Sequence, residues 1–208
     1  MSGLAILASG SGTNLQSLLD HPSVGPRVVL VVSDRAEAKA LARARDRGVE
    51  AVHLDPASFP SRQEHDRALV ELLRSRGVEL VCLAGYMRIL SPVAVQAFEG
   101  RILNVHPSLL PAFPGAHAVR DALAWGAKVT GCTVHVVDEE VDHGPIVAQE
   151  AVTVLGDDDE ATLHARIQEV EHRLYPAAVA LVLEGRLRSE GRRLRVTVSP
   201  REPRDAPG

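Results

Sequence analysis

Cysteine, lysine and long apolar runs are all scarce in this chain, and each shortage excludes something. The two cysteines, Cys82 and Cys132, each lie inside an apolar run of strand type. They read as small core residues in a reducing compartment, not as a disulfide framework or metal ligands. Lysine occurs only at Lys39 and Lys128, the remaining basic residues are arginines spread along the chain, and the formal net charge is -4. No basic stripe results, so nucleic acid is not expected as a partner. No apolar stretch reaches the length of a membrane span, and Met1-Ser2-Gly3 leads into the first apolar run without a basic start. The expectation is a soluble, cytoplasmic protein with no membrane partner.

Several motifs are missing as well. Nine histidines occur without an H-E-x-x-H pair or a cysteine pair beside them, so no metal is expected. A G-x-S-x-G elbow is absent, which disfavours a serine hydrolase. The glycine-rich segment Ser9 to Asn14 lacks the third glycine of the dinucleotide fingerprint and the Lys-Ser/Thr of a P-loop.

What is present is a regular alternation. With 208 residues, 45% of them hydrophobic, and a mean hydropathy of +0.01, the chain has enough apolar surface for one core. Leu4 to Ala8, Val28 to Val32 and Val78 to Ala84 read as apolar strands of the kind buried on both faces, with a short third strand at Ala51 to Leu54 and an apolar run of strand type at Ile102 to Val105. Helical spacing separates them: Leu15, Leu18 and Leu19; Ala36 to Arg47, stopped by Gly48; and Leu69, Leu72 and Leu73 after the capping-box pattern Ser61 to Glu64. Ser91-Pro92 predicts a further helix with the serine hydroxyl as its cap, and Asp34 reads equally as a helix cap or as a ribose-gripping acid. Ala118 to Trp125 predicts a helix, Val129 to Val137 and Ile146 to Val154 a hairpin. Asp157 to Asp159 opens a long helix that Pro176 should kink or restart. An edge strand at Leu194 to Val198 and a flexible tail complete the reading. The fold class is α/β: a single domain with a mostly parallel, Rossmann-like sheet, helices on both faces and late antiparallel strands. Residues 1–190 are expected to be the catalytic domain and 191–208 an edge strand and tail.

Chemistry concentrates at Ile102 to Gly115. Asn104 and His106 are two apart on a strand, so their side chains share a face, and Pro107 ends the strand there. An amide and a protonated imidazole side by side can both donate to an oxygen that becomes negative in acyl transfer. Keeping that imidazole cationic calls for a carboxylate. Asp142 in the acidic loop is the first choice, with Glu139 and Glu140 as competitors. The Ser9 to Asn14 turn, between a strand and a helix, offers backbone N–H groups and a helix dipole to a phosphate. Gly85 to Leu90, after the fourth strand, should open onto the same rim.

NVHPSLLPAFPG, with AGYMRILSP upstream and VDHGP downstream, closely resembles the phosphoribosylglycinamide formyltransferases, the folate-dependent monofunctional type. The resemblance runs from ASGSGTNLQ to QEVEHRLYP. Methionyl-tRNA formyltransferase and formyltetrahydrofolate deformylase are similar in the central motif, but each would carry a further domain that 208 residues do not accommodate. The resemblance implies formyl transfer from 10-formyltetrahydrofolate, as co-substrate, to the amine of 5-phosphoribosylglycinamide, by a monomer or homodimer acting on small molecules. It places the substrate phosphate on Gly12, Thr13 and Asn14, and its ribose on Glu171. It places folate on Arg62, on Met87, Arg88, Ile89 and Leu90, and beside Asn104, with Asn104, His106 and Asp142 as the catalytic trio. Three positions depart from the pattern: His143 stands where glycine is usual, Val119 replaces a common histidine and Ala112 a common lysine. His143 is therefore expected to strain its loop if positive φ is needed there. His117 is expected to support the site without taking part in catalysis.

Overall fold

Apolar runs that need cover on both faces are satisfied only in the middle of a layered structure. The computed structural model, which describes residues 3–197, has that arrangement. Strands β1 (Gly3–Leu7), β2 (Val28–Ser33), β3 (Glu50–His53), β4 (Val78–Leu83) and β5 (Ile102–His106) run parallel. The hairpin strands β6 (Val129–Val136) and β7 (Ile146–Thr153) add antiparallel to β5, giving the order β3-β2-β1-β4-β5-β6-β7.

Among the described residues six α-helices flank these strands: α1 (Thr13–Asp20), α2 (Lys39–Asp46), α3 (Arg62–Ser75), α4 (Pro92–Ala97), α5 (Ala118–Trp125) and, after β7, α6 (Glu160–Leu183). The period of two along β1 divides the core. Leu4 and Ile6 pack with Leu15 and Leu18 of α1, Leu41 of α2 and Val179 of α6. Ala5 and Leu7 point the other way, to Leu69 and Leu73 of α3 and Ala94 of α4. A smaller cluster joins Val119 of α5, Cys132, Val152 and Ile167. Burying each such leucine or isoleucine is worth about 1.5–3 kcal/mol. Cys82 and Cys132 are free and buried, and burial pushes both thiols up to about 12, which suits core residues without reactivity.

The termini of some elements differ from expectation. α2 begins at Lys39, three residues after Ala36, and its cap position is Ala38, so Asp34 caps nothing. Ser61 caps α3 by accepting from Glu64 N at 3.2 Å, but the Glu64 carboxylate pairs with Arg67 and does not close a box. Ser91 stands at the cap of α4, yet its hydroxyl makes no cap bond. The reciprocal box sits on α6 instead, between Asp159 and Thr162. That helix runs through Pro176 without interruption, its Tyr175 and Pro176 both buried against the sheet.

Beyond α6, β8 (Leu187–Glu190) pairs with β9 (Arg193–Val196) in a separate two-stranded ribbon. The expected strand at Leu194 is therefore not an edge of the main sheet, and the expected boundary at 190/191 falls in the ribbon's turn. Val198 and the expected tail lie outside the described residues. Among the described residues no helix is long and apolar enough to cross a membrane.

Candidate active site

Chain direction decides where the crevice opens. From β1 the chain crosses by α1 on one face toward β2, and from β4 by α4 on the other face toward β5. The loops leaving the C-terminal ends of β1 and β4 thus part from each other, and a cleft forms between them. It measures about 620 Å³ and is walled by Ser9 to Asn14, Gly85 to Leu90, Asn104, His106, the 137–142 loop and Glu171. The two loops are tied at its floor: Ser9 N donates to Gly85 O at 3.0 Å, and the Ser9 hydroxyl accepts from Met87 N at 2.9 Å.

Gly12 caps α1 in the left-handed region at φ 71°, and a Cβ there would lie 2.9 Å from Ala40 Cα. Only glycine lets the turn lie this close to α2. The first bond into the helix is Gln16 N to Gly12 O, so the N–H groups of Thr13 and Asn14 have no helical acceptor. Asn14 Nδ2 donates to Glu171 Oε2 of the neighbouring α6 at 2.8 Å, and Glu171 is buried at 3% exposure. Met87 and Ile89, at 67% and 59% exposure, are held apolar side up on the opposite lip. Arg88 and Leu90 also line this wall. Arg62 does not. It is exposed at the start of α3, off the cleft wall. His117, exposed just before α5, is likewise not among the cleft residues.

The structure brings Asn104, His106 and Asp142 together. Asp142 Oδ1 accepts from Asn104 Nδ2 at 3.4 Å, and its Oδ2 lies 3.3 Å from His106 Nδ1 and accepts from Gly115 N at 2.8 Å. His106 is buried at 4%, and its far nitrogen Nε2 is 2.9 Å from Phe113 O. A carbonyl can only accept, so Nε2 carries a proton and Nδ1 is turned toward the carboxylate. Glu139 is bound to Gln96 at 2.8 Å and Glu140 is 76% exposed, so neither competitor reaches the imidazole. Burial works to raise the Asp142 carboxyl. The His135 ring beside it, the Gly115 N–H and the charge of His106 outweigh that and hold it below the usual carboxylate range.

Positive φ in this region falls on Phe113 (51°) and Asp142 (52°), and His143 does not have it. The strain expected at His143 is therefore displaced by one residue onto an aspartate, a type that tolerates the left-handed region better. The tight position is Gly144, where a Cβ would meet Val136 O at 1.8 Å.

One residue of the site was missed. His135 sits opposite Asn104 in the β5–β6 ladder, 1% exposed, with Nδ1 3.0 Å from Val136 O and Nε2 3.2 Å from Asn104 Nδ2. With its proton on Nδ1, the ring accepts from the amide and fixes which end of Asn104 faces the cleft. The V-H-V pattern of β6 marks His135 as sharing a face with Thr133, but only the register shows that it meets Asn104.

Known proteins resemble this chain over most of its length. The chain is 48% identical over 202 residues to a phosphoribosylglycinamide formyltransferase of Mycobacterium tuberculosis, covering 93% of each chain. It is also 48% identical over 185 residues to the trifunctional purine biosynthetic protein adenosine-3 of Gallus gallus, covering 88% of this chain but only 18% of that much longer protein. The crystal structure of glycinamide ribonucleotide transformylase 1 from Symbiobacterium toebii superposes with a TM-score of 0.92 at 55% identity, covering 95% of both chains. Residues 3–179, which include every wall of the cleft, match the formyl transferase family model, and the chain belongs to that family.

Proposed function

We propose that this chain transfers the formyl group of 10-formyltetrahydrofolate to the amine of 5-phosphoribosylglycinamide, a step of purine biosynthesis, through Asn104, His106 and Asp142. One observation carries the chemistry: a negatively charged oxygen pair, that of Asp142, already sits where the Asn104 amide and the His106 ring converge. Two donors that accommodate a carboxylate there suit the oxygen of a formyl group as it becomes negative.

The residues fit both substrates. A phosphate suits the free N–H groups at Thr13 and Asn14 and the positive end of α1, and Glu171 suits a pair of ribose hydroxyls. The exposed side chains of Met87 and Ile89, with the backbone up to Leu90, suit one edge and one face of a flat pterin. Arg62, off the wall, is left for the acidic far end of a long folate.

The folate supplies a formyl group bonded to nitrogen. The substrate amine, anchored through its phosphate, attacks the formyl carbon, and Asn104 Nδ2 and His106 Nδ1 turn from the Asp142 carboxylate to donate to the oxygen. The carbon–nitrogen bond to the folate then breaks. Asp142, its carboxylate facing the imidazole, passes the proton through water from the attacking nitrogen to the leaving one. His135 holds the Asn104 amide in the donating orientation. Residues 1–190 supply every group used in this scheme.

The test is a formyl-transfer assay. Folate consumption that requires phosphoribosylglycinamide and yields the formylated amide supports the reading. Consumption at the same rate with water alone identifies a hydrolase, and binding of either ligand without turnover identifies a non-catalytic protein.

A further inference from the structure

The Asp142 loop connects β6 to β7 across the mouth of the cleft, and a separate part of the chain is fastened to it. Arg192, in the turn between β8 and β9, donates from one guanidinium nitrogen to the His143 carbonyl and lies with another 3.3 Å from His143 Nε2. The other side of the same ring, Nδ1, is 2.9 Å from Asp138 Oδ2, with Glu140 Oε1 3.8 Å away. A guanidinium can only donate and a carboxylate only accept. The ring meets both only with its proton on Nδ1, giving to Asp138 and accepting from Arg192. Asp138 also accepts from Glu140 N at 3.1 Å, so the relay fixes both ends of the 138–143 turn.

This contact spans 49 positions of sequence and joins two elements with different supports. The loop hangs from the main sheet by Val136 N to Pro145 O at 2.8 Å. The ribbon is tied to the end of α6, where Thr197 N donates to Arg186 O at 2.7 Å, and it lies beyond residue 179, where the family match ends. Asp142 has little slack of its own. It holds a left-handed φ of 52° next to the residue that Arg192 grips, and its carboxylate must stay within reach of His106.

We infer that the C-terminal ribbon is a latch on the catalytic loop, with Arg192 and His143 as positioning residues that hold Asp142 against His106. This rests on the role proposed for Asp142. It places a determinant of turnover outside the sheet and outside the cleft wall. Neither residue lines the cleft, so neither is itself a substrate contact.

The test is the full chain with Arg192→Ala, Arg192→Lys and His143→Ala. Two readouts are needed: steady-state formyl transfer, and amide hydrogen exchange over residues 138–143. Exposed charge-assisted bonds of this kind predict a loss in kcat of about 5- to 20-fold for R192A, with KM for both substrates within about twofold. Lysine at 192 keeps one donor for the His143 carbonyl and should recover most of the loss, and H143A, which keeps the carbonyl, should lose less than R192A. Exchange in the loop should quicken in R192A while that of β1 and β4 stays as it was. Unchanged exchange overturns the latch, whatever the rate. Faster exchange with unchanged kcat overturns the positioning role. If the parent protein has no transferase activity, the functional reading fails, and quickened exchange in R192A still establishes the fastening.

Discussion

At the scale of single residues, the site depends on where protons are held. Nε2 of His106 is bound to Phe113 O, so the ring turns Nδ1 to Asp142 and the cleft. The depressed Asp142 carboxyl makes a second statement. A group whose folded value lies below its unfolded one stabilises the fold above the unfolded value, and that contribution is lost as pH falls through the folded value. Urea unfolding of the parent and of Asp142→Asn should therefore differ at about pH 5 and converge as the pH drops below about 4. A gap that widens on acidification would contradict the assigned direction. That Asn104 and His106 share a face was legible in sequence because period two along a strand needs no tertiary knowledge, whereas Asp142 was the first choice among three carboxylates in the acidic loop and only the structure separates it from Glu139 and Glu140. His135 was not, because its contact with Asn104 depends on a strand register set by a distant loop.

At the scale of elements, α6 does more than cover the sheet. Tyr175, fully buried, stands between β4 and β5 and its hydroxyl is 3.0 Å from both Leu83 O and Leu103 O. Burial pushes the phenol well above its ordinary range, so it remains a donor. These carbonyls lie where β4 and β5 approach the rim, and Leu103 directly precedes Asn104. Tyr175→Phe removes the single O–H that these two carbonyls share and should cost about 1–3 kcal/mol, read as a lower denaturation midpoint at unchanged m. A neutral result would mean that water or a strand shift replaces the bond. Strands were the easiest elements to read, since β1, β2 and β4 announce themselves as apolar blocks, whereas the edge strand β3, EAVH, is only partly buried. The start of α2 was harder, because residues 35–38 have no strong cap, and β8 has the polar sequence LRSE, which carries no inward-facing alternation.

At the scale of the whole molecule, the reversal of strand order between β1 and β4 does the organising. It opens the glycine turn and the Gly85 to Leu90 loop onto one cleft, and the β5–β6–β7 hairpin extension swings the acidic loop over the mouth. The order of elements was legible. That the C-terminal ribbon would touch the loop was not, since Arg192 carries no motif and its partner is 49 positions away.

The central claim is that Asn104 and His106 act on one oxygen, and a double-mutant cycle in the formyl-transfer assay tests it most directly. Asn104→Ala and His106→Ala should each lower kcat by about 10²–10³-fold with modest change in KM, and the double variant should fall little further than the worse single one. Losses that simply multiply, or near-parental turnover in either single variant, would show that the two side chains do not share a developing charge.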